Sequence, residues 1–495
     1  MLVASLFISM FAWALATPVG GYENDETTLS AIYCSRAPHE YCQPDAIDAE
    51  LFLVPRAFSR TSFERREFFF CHVASPNAKL NELPSARCLY NFNDSSQTYL
   101  ENSLSAKKNL PLYPKLFASI MGLLATENLV KTILLVRLAN IASCLLIFTL
   151  IYQVVGSKGL ERTFVPWLIF MPSFGMFLLS GNTRSTWSVL GVGSSWLFVE
   201  RAIHSKNFAL RITSIVGLVL AFIFGTGSRS DSIFFTLLSL FVGLYLARNE
   251  FFAFIRRKTA VTIVGVVFSA VILTYVLVSL EFASLVTIAI LKNSFKSNLI
   301  PNFPDWFMNR GVFLPEIILG AFGGNNGEES WQTAAPPLAL VLNLISFGLV
   351  VATILKNQFR EHRGVKILII FLILIILYLF DSNGLGAKTR YIFPLIILSV
   401  GVAAYSKSSE PSMKTNQKLF LASCLGISYF LSLYMQIRRY VSGPTNDSWN
   451  LNSSPQWWWS VGPTPMSLLI IGTCAFLLLC LLIIGVSTKS EGKVL

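Results

Sequence analysis

VTIVGVVFSAVILTYVLVSL (residues 261–280) contains no charged residue, and ILIIFLILIILYLF (367–380) repeats the pattern further along the chain. An apolar helix of roughly 20 residues is long enough to cross a hydrocarbon core about 30 Å thick. The rest of the chain agrees. Its 495 residues are 53% hydrophobic and 13% charged, with a mean hydropathy of +0.58. Soluble domains carry about twice that charged fraction, near 25%. These features exclude an ordinary soluble domain and lead to an all-α integral membrane protein.

Spans are expected near 1–17, 132–155, 164–180, 187–203, 210–227, 232–248, 259–281, 335–355, 367–381, 391–405, 419–436 and 466–487, about twelve in all within a range of 11–13. The segment 112–125 is too short to cross and reads as interfacial or re-entrant. Excess Lys and Arg mark cytoplasmic loops in such proteins. The short segments 156–163, 201–211, 248–258, 356–366, 406–418 and the tail from Ser487 hold eighteen Lys or Arg, whereas 181–186, 228–231 and 381–390 hold four. The expectation is therefore a multi-pass protein of the cell membrane with both termini cytoplasmic. The net charge of +12 reports this topology and the lipid bilayer as partner, so no nucleic acid is expected. The first segment also resembles a secretory signal ending at Ala14-Leu15-Ala16, but it lacks a basic start, and a retained span is the preferred reading.

The outward loops are the large ones: 18–131, 282–334 and 437–465. The whole chain, 1–495, reads as one polytopic domain with its chemistry on that face. Cys34, Cys42, Cys71 and Cys88 all fall in the first loop, which reads as a disulfide-stapled cap with helical patches such as AIDAELFLVPRAF. Four cysteines allow three pairings, of which Cys34–Cys42 with Cys71–Cys88 closes the shortest loops. No C-x-x-C pairing is present, so no metal site is expected. Trp457-Trp458-Trp459 could stack on a sugar or lipid, but reads first as an interfacial aromatic belt before a span.

Arginines at outer span ends run against the charge bias of such proteins and so call for an explanation. Arg137 lies within VKTILLVRLANI, Arg184 in SGNTRSTW, Arg229 with Asp231 in GTGSRSDS, Arg390 with Lys388 in GAKTRYIFPL, and Arg438-Arg439 in MQIRRYVSG. A guanidinium presents a planar fork suited to phosphate oxygens. Just beyond the first span, Asp25 and Glu26 supply carboxylates where an acceptor hydroxyl can be deprotonated. Taken alone, that acidic cluster is more simply read as a hydrated loop. His204 and His362, on inner loops, are expected to be solvated.

Several stretches in order carry a resemblance: NDETTL, VPRAF, NLPLYPKL, LVRLANI, SGNTRSTWSVLGVGSSW, SRSDSIFFTLLSL, LGAFGG with WQTAAPP, and TRYIFPL. From about residue 20 to 480 the chain resembles a bacterial family of multi-spanning proteins, domain of unknown function 2142. That family is similar to the GT-C group of glycosyltransferases, which take sugars from polyprenyl phosphates at the outer face. The resemblance implies Asp25 and Glu26 as catalytic residues and Arg137, Arg229 and Arg390 as holders of a donor phosphate. Tyr113, Asn182, Arg184, Asp231 and Trp331 are candidate substrate contacts, and no cofactor is implied. The chain departs from the family pattern at Leu29, where histidine is frequent, and at Thr333, where aspartate is; family asparagine–proline is here Asn182-Thr183.

The expected activity is inverting transfer of a sugar from a polyprenyl-phosphate donor to a cell-envelope glycan or lipid acceptor. Rival classes are a transporter or flippase of lipid-linked glycans, a polymerase or ligase of such glycans, and a non-catalytic membrane scaffold. A transporter would show helices broken within the membrane.

Overall fold

The computed structural model describes residues 1–17, 32, 35–36, 51–55, 97–101, 115–126, 129–251, 319–323, 335–357, 389–405, 413–442, 449–453, 455–457 and 463–491. The runs 261–280 and 367–380 lie outside these residues, as do most of the three large loops. The described elements in chain order are α1 (Leu2–Ala16), β1 (Leu51–Pro55), β2 (Gln97–Glu101), α2 (Lys115–Gly122), α3 (Leu129–Leu168), a π-turn (Met171–Gly175), α4 (Met176–Ser180), α5 (Ser185–His204), α6 (Phe208–Ser228), α7 (Ser230–Leu246), α8 (Pro337–Asn357), α9 (Thr389–Ala404), α10 (Thr415–Ile437), a second π-turn (Arg438–Ser442) and α11 (Pro465–Glu491).

Among the described residues five helices are long and apolar enough to cross a bilayer: Val130–Gly156, Phe208–Ser228, Pro337–Lys356, Thr415–Ser442 and Pro465–Ile483. A sixth crossing follows if the bent pair Gly159–Leu168 and Met171–Ser180 counts as one span. Outward positions are apolar, with Phe208, Phe234, Phe241 and Ile471 exposed, while Arg137, Asn140, Asn182, Ser194 and Ser232 are buried. Apolar outside and polar within is the arrangement lipid demands, since polar groups in hydrocarbon must find partners inside the bundle. The protein is a multi-pass helical membrane protein.

α5 explains why hydropathy alone understates the bundle. Every residue from Ser185 to Glu200 is buried, so this helix is enclosed by protein and needs no lipid-facing leucines. Its small residues let neighbours approach closely. A Cβ placed on Gly191 would lie 2.3 Å from the backbone nitrogen of Gly225 in α6. Hydroxyls tie α5 to α7: Ser188 pairs with Ser232, and Ser239 Oγ donates to Val192 O at 2.7 Å.

α3 is two helices in one. Gly156 has φ 67 and ψ −179, a region open essentially to glycine, and kinks the chain where a cytoplasmic loop was expected. The expected span 164–180 is corrected to two pieces bent by 74°. Pro172 fits the break: it has no N–H with which to continue the ladder of the preceding helix, and it sits in the first positions of the π-turn that follows. α2 is eight residues long, too short to cross.

A second correction concerns AIDAELFLVPRAF. The helical patch expected there is a strand over Leu51–Pro55, antiparallel to Gln97–Glu101 with Leu53 opposite Tyr99. Phe and Val favour an extended chain, and Pro55 ends any helix entering from the alanines. The four cysteines of the expected cap lie outside the described residues.

Candidate functional site

Side-chain contacts gather one end of the bundle. Arg137, 1% exposed, reaches from the third turn of α3 to the carboxyl end of α1. Its Nη1 donates to Ala14 O at 2.5 Å and to Thr17 O, and its Nε donates to Asn182 Oδ1 at 3.1 Å. The last carbonyls of a helix have no partner within it and form its negative pole. Arg137 therefore caps α1 and fastens the α4–α5 turn to it. Asn140 Nδ2 supports the same turn through Gly181 O at 2.9 Å, and Gln436 Nε2, near the end of α10, donates to Thr17 Oγ1 at 3.2 Å.

Beside this brace stands a second arginine cluster. Arg229 is the N-cap of α7, and Arg390 lies in the first turn of α9. They are 6% and 4% exposed. Both meet Tyr391, with guanidinium carbons 4.0 Å and 4.9 Å from the ring centroid. Arg390 Nη2 donates to Tyr391 Oη at 3.1 Å, and Arg229 Nη1 donates to Ser185 Oγ at 3.3 Å. Two guanidinium groups this close to one ring centroid are at most about 9 Å apart, so they repel by about 2 kcal/mol or more at an effective dielectric near 20. The electron-rich face of the tyrosine offsets part of this.

The expected site residues thus separate into groups. Arg229 and Arg390 come together, and Arg184 precedes the Ser185 that binds Arg229. Arg137 and Asn182 come together too, on each other and on α1: Nη1 and Nε of Arg137 are directed to the carbonyls of Ala14 and Thr17 and to the Asn182 amide oxygen. Asn182 is fully buried in the same brace, where substrate contact was expected. Asp231 follows the Arg229 cap in the first turn of α7, its side chain outside the described residues. Asp25, Glu26, Tyr113 and Trp331, with Cys34, Cys42, Cys71 and Cys88, also lie outside them.

Two features escaped the sequence reading. Tyr391, which is not among the expected site residues, is the ring on which both arginines converge; its position directly after Arg390 was the available signal. At the opposite end of α5, His204 is not simply solvated. Its Nε2 lies 2.8 Å from Glu250 Oε1 and its Nδ1 3.2 Å from Glu200 Oε1, which also accepts from Tyr405 Oη at 2.6 Å. Among the described residues no group of three His, Cys, Asp or Glu is arranged to hold a metal ion.

The fold and these two ends define a polytopic helical membrane protein with an arginine-lined end. No family model, curated protein or solved structure matches the chain.

Proposed function

We propose that the protein is an inverting glycosyltransferase that moves a sugar from a polyprenyl-phosphate donor to a cell-envelope acceptor. The reading includes about twelve spans, both termini cytoplasmic and a disulfide-stapled first loop on the outer face. It rests on the resemblance to domain of unknown function 2142 and GT-C enzymes. The observation that carries it is the convergence of Arg229 and Arg390 on Tyr391, at the end where α1 finishes.

In this mechanism Asp25 takes the proton from the acceptor hydroxyl, whose oxygen attacks the anomeric carbon. The bond from that carbon to the phosphate oxygen breaks, and the lipid phosphate leaves with the electron pair. Arg229 and Arg390 compensate the negative charge that grows on it, which is where preorganised electrostatics lowers a barrier most. Glu26 orients Asp25 or binds sugar hydroxyls. Arg137 acts at one remove: it fixes Thr17, and the acidic pair follows a few residues later in the chain.

The test is transfer of radiolabelled sugar from a polyprenyl-phosphate donor in membranes. Asp25→Asn is expected to lower the rate by 10² or more while donor binding persists. Arg229→Gln and Arg390→Gln are expected to weaken both binding and rate. Transfer undiminished in Asp25→Asn rejects the base assignment. A second reading, transport of a lipid-linked glycan, draws support from the helix pair bent by 74°, since discontinuous helices line substrate paths in transporters. Labelled lipid crossing vesicles with no sugar transferred favours that reading.

A further inference from the structure

The turn that closes α10 carries an arginine unlike the others. The two guanidinium nitrogens Nε and Nη2 of Arg439 are buried with no hydrogen-bond partner in the protein. Its guanidinium carbon stands 5.0 Å from the ring of Tyr440, and among the described residues no ion pair engages it. A buried cationic donor without an acceptor is unfavourable, so the arrangement calls for one.

The identity of the two atoms narrows what that acceptor is. Nε–H and the adjacent Nη2–H lie along one edge of the guanidinium and point the same way. They form the fork that receives two oxygens of a single phosphate or carboxylate group. Position narrows it further. The helical stretch Thr415–Ser442 has 28 residues, about 42 Å of helix against a hydrocarbon core of about 30 Å. At least one of its ends therefore reaches the headgroup layer, where phosphate esters are the abundant anions, and Arg439 lies in the last turn of the stretch.

Local structure shapes a place for the group. Gln436, three residues before Arg439, contacts Thr17, and Ser432, four residues before Gln436, is buried with its hydroxyl unpartnered. This spacing puts Ser432, Gln436 and Arg439 on one stripe of the helix. The residues after the turn fold back on it: Gln456 N donates to Val441 O at 2.7 Å, and Ser442 Oγ donates to Leu451 O at 3.0 Å. The turn itself is π-helical, a widened geometry frequent at binding sites.

We infer that Arg439 is a phosphate-ester binding site, its Nε–Nη2 edge holding two phosphate oxygens at the membrane boundary. The site uses none of the residues of the Tyr391 pair, so its loss and the loss of sugar transfer are distinguishable outcomes.

The experiment uses purified full-length protein and phosphatidylglycerol, with bound lipid counted by native mass spectrometry across a lipid titration. The wild type is expected to retain one phosphatidylglycerol that resists dilution. Arg439→Gln is expected to weaken that retention at least tenfold, the loss of charge-assisted hydrogen bonds. Arg439→Lys, which keeps the charge but not the fork, is expected to fall between them, and Lys206→Gln at the other end to match the wild type. Excess inorganic phosphate that displaces the lipid identifies a site for free phosphate; retention against it identifies a lipid headgroup site. Equal retention in the wild type and Arg439→Gln overturns the inference. If Arg439→Gln does not fold, equal retention in Arg439→Lys overturns it likewise.

Discussion

Arg137 shows how one residue type serves two ends from the same sequence context. An arginine within an apolar span invites a ligand, and VKTILLVRLANI gives no sign of where the side chain goes. The deciding partners are backbone carbonyls of Ala14 and Thr17, contributed by a helix more than a hundred residues away, and carbonyls carry no signature in a sequence. Arg229 and Arg390 were easier to place, because each stands at a helix start beside serine or tyrosine. This difference yields a prediction. Arg137→Gln removes the cap from α1 and leaves buried acceptors unpaired, costing about 2–4 kcal/mol. The expected result is a clearly lowered unfolding midpoint in detergent, whether or not any lipid-linked sugar is present. A variant of unchanged stability that loses only donor affinity would return Arg137 to the ligand.

At the scale of elements, two glycines act through different physics. Gly156 turns the chain between the halves of α3 at φ 67, and a Cβ there would meet nothing within 4 Å. Gly156→Ala is therefore penalised by backbone conformation alone, about 1–3 kcal/mol. Gly191 is an ordinary helical residue, but its added Cβ would collide with the Gly225 backbone, which has no side chain to move aside. Gly191→Ala must push α6 away from α5, an overpacking cost of about 1–3 kcal/mol or more. Thermal unfolding of both variants checks this: both midpoints fall, and bulkier Gly191→Leu falls much further than Gly156→Leu. Sequence reading located the turn at Gly156 because a charged loop follows it, and it located helices wherever leucine and isoleucine dominate. It missed the break before Pro172 because the apolar composition continues through it. It misread Leu51–Pro55 because the alanine-rich residues before the strand are helix formers.

Across the whole molecule, packing sorts the described turns into two ends of opposite character. One gathers Arg137, Arg229, Arg390 and Arg439 with no glutamate among their contacts described above. The other binds charges to each other: Lys418 Nζ meets Glu161 Oε2 at 2.7 Å, both side chains almost fully buried, and His204 lies between Glu200 and Glu250. This division follows from contacts, whereas the proposed cytoplasmic location of the second end rests on the eighteen Lys and Arg of the expected inner segments. Surface positions at each end join the two lines of reasoning. Trp449 is 81% exposed beside the end of α10, and Lys206 is exposed after α5. In intact cells a membrane-impermeant maleimide is expected to label Trp449→Cys above the parent background and to spare Lys206→Cys. Lys206→Cys is expected to react only after the cells are permeabilised. The reverse pattern would put the arginine-lined end in the cytoplasm, away from any donor presented at the outer leaflet, and would remove the topological basis of the transferase reading while leaving the packing intact.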